Sequence, residues 1–112
     1  MPNNLIEIGG EKRPVNFGRN FWSEVEQITN KSVGELIEIK ELTSIRNQVA
    51  IAFSSLKWGE YDPQKGNEPN VKFTKFQVAD WIDNNPDVMG EFYKLLIGSM
   101  PAKKKEEGSE AK

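Results

Sequence analysis

Thr43-Ser-Ile-Arg-Asn-Gln-Val-Ala-Ile-Ala-Phe-Ser-Ser-Leu-Lys-Trp58 is the stretch whose reading decides the fold. Ile45, Val49, Ala52, Phe53 and Leu56 recur at spacings of four, three, one and three, which puts them on one face of a helix. Ala50 and Ile51 widen the stripe and leave Arg46, Gln48, Ser54 and Lys57 to face water or a partner. A helix of this length is marginal alone in water, so it must dock its broad apolar face to persist. The expectation is a central helix over residues 44–57 with the other segments packed round it.

Toward the N-terminus, Leu5-Ile6-Glu7-Ile8 and Arg13-Pro14-Val15-Asn16-Phe17 look extended, and Gly9-Gly10 between them is a hairpin signal. Period-two alternation pairs Ile6 with Ile8 and Val15 with Phe17, and these four are expected to cover the helices. Pro14 lacks an amide hydrogen and implies an edge or one-sided pairing. A two-strand hairpin over residues 1–17 therefore leaves an open edge that another chain can extend. Gly18 to Asn30 reads as the first helix, with Phe21, Val25 and Ile28 inside, Trp22 beside them, and Ser23, Glu24, Glu26 and Gln27 wet. Ser32 is an N-cap for a second helix reaching Leu42, with Val33, Leu36 and Ile37 buried and Glu35, Glu38 and Glu41 solvated. Gly34 and the alternation Ile37-Glu38-Ile39 weaken that helix.

Toward the C-terminus, residues 59–70 are polar and rich in turn formers, a length that belongs to either a functional loop or a disordered one. Trp58 and Tyr61 stand at its entry, to anchor it or to meet a partner. Thr74-Lys75-Phe76-Gln77 is a capping box that opens a helix with Phe76, Ala79 and Ile82 inside and Val78 and Trp81 beside them. Pro86 suits the first turn of the last helix, with Asn85 as its cap and Asp87 at the positive end of the dipole. Val88, Phe92, Leu95 and Leu96 form its core stripe. Met89, Tyr93, Ile97 and Met100 form a second band, more apolar surface than a monomer needs, so this helix is expected to face another protein. After Pro101 the remainder, 102–112, has no hydrophobic anchor and is expected to be disordered. The fold class is mainly α within α+β: one domain over residues 1–101, an N-terminal hairpin and about five short helices.

Composition narrows the chemistry. The 112 residues carry 15 basic and 17 acidic side chains, no histidine and no cysteine. Disulfides and thiolate chemistry are excluded, and the commonest metal ligand and general base are missing. Ser54-Ser55 has no base to activate it, and Asp80 and Asp83 alone are a solvated pair rather than a metal site. No phosphate-binding glycine loop is present. The expectation is no enzyme, no cofactor and no metal. A net charge of -2 argues against a nucleic-acid binder, and Lys72-Phe73-Thr74-Lys75-Phe76 is the only basic and aromatic run, its second half explained by a helix cap and a core aromatic. No apolar run of bilayer length occurs and the start Met-Pro-Asn-Asn is not a signal peptide, so a cytoplasmic protein without membrane contact is expected.

The run from Ile6 to Phe17, the aromatic helix after it, and Glu26-Gln27-Ile28-Thr29-Asn30-Lys31-Ser32-Val33-Gly34-Glu35-Leu36 together resemble the tail assembly chaperones of long-tailed bacteriophages. That family has a short hairpin, a helix ending in Glu-x-x-Thr-Gly-x-Ser, and further helices. Asn30 stands at the family's glycine, and asparagine also accepts a left-handed helix end. The specific match covers roughly a third of the chain, and the rest is similar in layout. The resemblance implies a non-catalytic protein that binds the tape measure protein and the tail tube protein in the host cytoplasm and is absent from the finished virion. Many members of that family are made in two lengths by a ribosomal frameshift, and the codons of Lys103-Lys104-Lys105 are the candidate slippery site here; a gene with no A-rich heptamer there and no overlapping frame downstream excludes it. The expected partner-binding positions are Ile6 and Ile8 on the hairpin, Trp58 and Tyr61 at the loop entry, and Tyr93 and Ile97 on the last helix, with homo-oligomerisation a further use of the same surfaces. A structural tail completion or connector protein and a small DNA-associated regulator are the alternatives.

Overall fold

Gly9 and Gly10 both take positive φ, 64° and 83°, the backbone that a two-residue hairpin turn needs and that glycine adopts at no steric cost. The computed structural model, which describes residues 4–99, joins β1 (Asn4–Ile8) to β2 (Glu11–Val15) through this turn. The second strand starts two residues earlier than its sequence suggests, because the turn consumes only the two glycines. Ile6 lies opposite Arg13, Ile8 opposite Glu11 and Asn4 opposite Val15. In a two-residue hairpin the pair beside the turn is hydrogen-bonded and the pairs alternate from there, which puts Pro14 and Leu5 in a non-bonded pair and makes the missing amide harmless. Ile6, Ile8, Val15 and Phe17 are buried, as the alternation predicts.

Helix α1 (Arg19–Thr29) buries Phe21, Val25 and Thr29. Thr29, not Ile28, completes the stripe; its hydroxyl donates to the Val25 carbonyl at 2.8 Å and so enters the interior satisfied. Ile28 is half-buried. Asn30 ends the helix in the left-handed region, the only non-glycine among the described residues to do so. The second helix expected over 32–42 is instead two single turns, α2 (Val33–Leu36) and α3 (Ile39–Leu42). Ser32 caps α2 as expected, in a reciprocal box with Glu35. The break at Ile37-Glu38 turns Ile37 outward, so it is exposed while Leu36 is buried.

Helix α4 (Ile45–Trp58), capped by Ser44, touches α1, α3, α5, α6 and β2 and is the centre of the molecule. Its packing is not the one-sided stripe of its sequence. Ile45, the first helical residue, is 72% exposed because the helix has not yet entered the core. Further on, Ala50, Ala52, Ser54 and Ser55 are buried along with Ile51 and Leu56, and these small side chains let neighbours approach from several directions. The Asn16 amide bonds the Ser55 carbonyl at 3.1 Å, seating the hairpin on the helix.

Helix α5 (Lys75–Asn84) starts at the predicted Thr74/Gln77 capping box. Helix α6 (Val88–Gly98) begins at Val88 with Asp87 in the N-cap position, so Pro86 lies in the turn before the helix and not inside it. Val88, Met89, Phe92 and Leu96 are buried, and α6 packs against β1 and α4. One buried cluster draws on both strands and on α1, α2, α4, α5 and α6. Met100, Pro101 and the 102–112 segment lie outside the described residues. Among the described residues no helix is long and apolar enough to cross a membrane.

Candidate functional site

Trp58 and Tyr61 stand where α4 gives way to the long connection, and both are half-buried, with ring centroids 5.5 Å apart. The Trp58 indole Nε1 donates to Glu24 Oε1 at 2.6 Å. Glu24 Oε2 accepts from Lys57 Nζ at 3.1 Å, and Lys57 Nζ also donates to the Glu68 carboxylate. One ammonium, its side chain only 11% exposed, therefore ties α4 to α1 and to the far end of the connection. Burial by itself would lower the Lys57 pKa, but the hydrogen bonds and charges of Glu68 and Glu24 together outweigh it, and the pKa stands above the ordinary lysine value. Lys57 and Glu24 are thus not the solvated residues that their helical positions suggest. The connection is ordered and anchored: the Asp62 carboxylate accepts from the Gln64 amide, and Gly66 closes the turn at φ 70°.

Beside this latch lies an open groove of about 590 Å³, lined by Phe53, Lys57, Glu68, Val71, Phe73 and Phe76 among others. Phe73 is buried, with its ring 5.9 Å from that of Phe53. Phe76, expected in the core, is 80% exposed. Val78 and Ile82 mark the buried face of α5, and Phe76, two residues before Val78, points the other way. Phe73 and Val78 occupy the two positions of a hydrophobic staple, immediately before the cap and at the fourth helical residue. The staple is the sequence signal that separates the core phenylalanine from the exposed one.

The hairpin contributes an arginine that sequence reasoning left aside. Arg13 shares the inner face with Ile6 and Ile8, and its guanidinium lies 4.6 Å from the Trp81 ring and 5.5 Å from that of Phe73. Its Nε donates to the Ile8 carbonyl at 3.0 Å. Trp81 also fills the space under Gly9, where a Cβ would come within 2.5 Å of the indole. Trp81 therefore clamps the turn and the arginine together.

The six expected partner-binding residues divide. Ile6 and Ile8 are core residues, 1% and 4% exposed, and are withdrawn as contact positions, because the inner face of the hairpin is covered by α6 and the helices behind it. The apolar side chain that the hairpin does present is Leu5, 55% exposed. Trp58 and Tyr61 are spent largely on anchoring. On α6, Tyr93 is half-buried, and burial pushes its phenol up to about 12, with a bond to Gln48 pulling the other way. Ile97, one turn further, is 37% exposed. The structure brings Trp58 and Tyr61 together, and Tyr93 and Ile97 share one helix. Ile37, Ile45 and Phe76 are exposed apolar side chains outside the predicted set.

Ser54 and Ser55 are both fully buried, so no substrate reaches either hydroxyl. Among the described residues no group of three or more acidic side chains is placed to hold a metal ion. What the geometry does provide is exposed apolar side chains on an otherwise well-sealed body. No protein-family model, curated protein or solved structure matches the chain.

Proposed function

We propose that this protein is a non-catalytic tail assembly chaperone of a long-tailed bacteriophage, which holds the tape measure and tail tube proteins in the host cytoplasm during assembly and is left out of the particle. The observation that carries the reading is the joint between α1 and α2, because the residues that carry the family resemblance each have a task in it. The Glu26 carbonyl accepts from the Asn30 amide at 2.7 Å, and its carboxylate accepts from the Val33 amide at 3.1 Å. Thr29 closes its hydroxyl on Val25, Asn30 takes the left-handed turn where the family has glycine, and Ser32 caps the next turn. Each named residue of the Glu-x-x-Thr-Asn-x-Ser stretch thus has a part in the bend, which is the support this reading takes from the fold.

The test is affinity purification of the tagged chain from phage-producing cells, with mass spectrometry of the purified particles alongside. Capture of the tape measure or tail tube protein, with the chain missing from particles, is the expected result. Presence in finished particles overturns the chaperone reading in favour of a tail completion or connector protein. Binding to duplex DNA that falls steeply with salt overturns it in favour of a regulator.

A further inference from the structure

The 59–73 connection is fastened at both ends and caught once between them. At its start the Tyr61 amide donates to the Trp58 carbonyl at 3.2 Å, and the two rings pack together. At its end Phe73 is buried against Phe53 and Trp81, and Val71 packs on the core. Residues 62–68 are exposed, and the Asp62 carbonyl accepts from the Lys65 and Gly66 amides at 3.1 and 3.0 Å, which closes a turn on itself. Among the described residues, the bond from Lys57 Nζ to the Glu68 carboxylate is the one hydrogen bond that joins residues 62–72 to the rest of the chain.

The partners of Lys57 decide what that catch costs to release. A shielded ammonium with Glu68 as its sole partner would be left uncompensated when Glu68 moved away, a heavy loss. Glu24, itself mostly shielded, keeps the cation paired, so releasing Glu68 gives up an exposed ion pair, the weakest kind. We propose that residues 62–70 form a strap with Glu68 as its catch, which swings off α4 as a unit while the body stays folded, and which salt opens. Salt screens the exposed Glu68 pair and leaves the shielded Glu24 pair nearly untouched. Glu68, Pro69 and Asn70 form one wall of the groove beside Phe53, so the swing widens the groove and uncovers Lys57. This is a property of the fold, beyond the assembly role and independent of it.

The experiment is limited trypsin digestion of the full chain, with the fragments followed by mass. The rate of cleavage after Lys65 is divided by that of a short peptide of the same sequence in the same salt, which removes the effect of salt on the protease. Cleavage of a folded chain follows the population of its locally open form. At low salt Glu68→Gln, a change at an exposed side chain, is expected to raise the rate about three- to fivefold. Going from about 20 mM to about 0.5 M NaCl is expected to raise it by a similar factor in the parent and to leave Glu68→Gln unmoved. Cleavage after Lys94, in the middle of α6, reports on the body and is expected to stay constant throughout. An unchanged rate after Lys65 in Glu68→Gln, a salt effect as large in that variant as in the parent, or a rise after Lys65 matched by one after Lys94 each overturn the proposal. None of these results bears on the capture and particle measurements, so the strap and the assembly role fail separately.

Discussion

Glu24 and Trp58, 34 positions apart, are joined by a 2.6 Å hydrogen bond from the indole Nε1 to the carboxylate. The same carboxylate holds Lys57, so two successive residues of α4 converge on one side chain of α1. This relationship fixes how the central helix meets the first one and where the 59–73 connection leaves the body.

The three charges of that latch are unequal. Lys57→Met strips the cation from Glu24, which is mostly shielded from water, and is expected to cost about 2 to 4 kcal/mol. Glu68 is 67% exposed, so Glu68→Gln is expected to change stability by less than about 1 kcal/mol. Urea denaturation midpoints at unchanged slope separate the two. Equal losses would mean that the loop, and not α1, is what Lys57 holds.

Gly59 and Gly90 test space against helix propensity. Gly59 has an ordinary helical backbone, yet a Cβ there would lie 2.0 Å from the Pro14 carbonyl oxygen, where α4 meets the hairpin. Gly59→Ala is therefore expected to cost about 2 kcal/mol or more, by forcing two backbones apart. Gly90 on α6 has open space, and Gly90→Ala is expected to gain up to about 1 kcal/mol. Thermal melts of the two variants should move in opposite directions.

Ser54 is fully buried, and among the described residues its hydroxyl has no hydrogen-bond partner. Ser54→Ala removes an unsatisfied polar group and adds helix propensity, so a gain of about 1 kcal/mol is expected. Ser55→Ala is expected to gain less, since it gives up the bond to the Ala52 carbonyl at 3.0 Å. A loss of stability in Ser54→Ala would show that the hydroxyl is satisfied after all.

Alkaline pH should loosen the fold through Tyr93 and Lys57. The Tyr93 phenol is raised from 10.0 to about 12 by burial, so the folded chain favours the neutral form. Its contribution is whole below pH 10 and is lost as pH rises toward about 12. Lys57 has the same sign: burial alone would lower its pKa, but the bonds and charges of Glu68 and Glu24 together hold it above 10.5, and its share is lost as pH climbs through that region. Phenolate absorbance of the native protein should include a component near pH 12 that disappears in Tyr93→Phe. That variant should also lose less stability between pH 10 and 12 than the parent.

The chain's own order of residues determined the hairpin turn, the left-handed Asn30, the Ser32 and Thr74 caps, and the central place of α4. These features depend on contacts within a few residues: positive φ at two glycines, a side-chain oxygen reaching the amide three positions on, or an apolar density too great for one exposed face. Only the tertiary structure decided which side chains the surface keeps. Ile45 and Phe76 stay in water, while Lys57, Ser54 and Thr29 go inside, because burial depends on which segments arrive from elsewhere in the chain. Arg13 settles over the rings of Phe73 and Trp81, and Glu24 takes the Trp58 indole hydrogen, for the same reason. Periodicity along one helix carries no record of the partner that will cover it, and a polar residue is buried or wet according to whether that partner brings the matching charge.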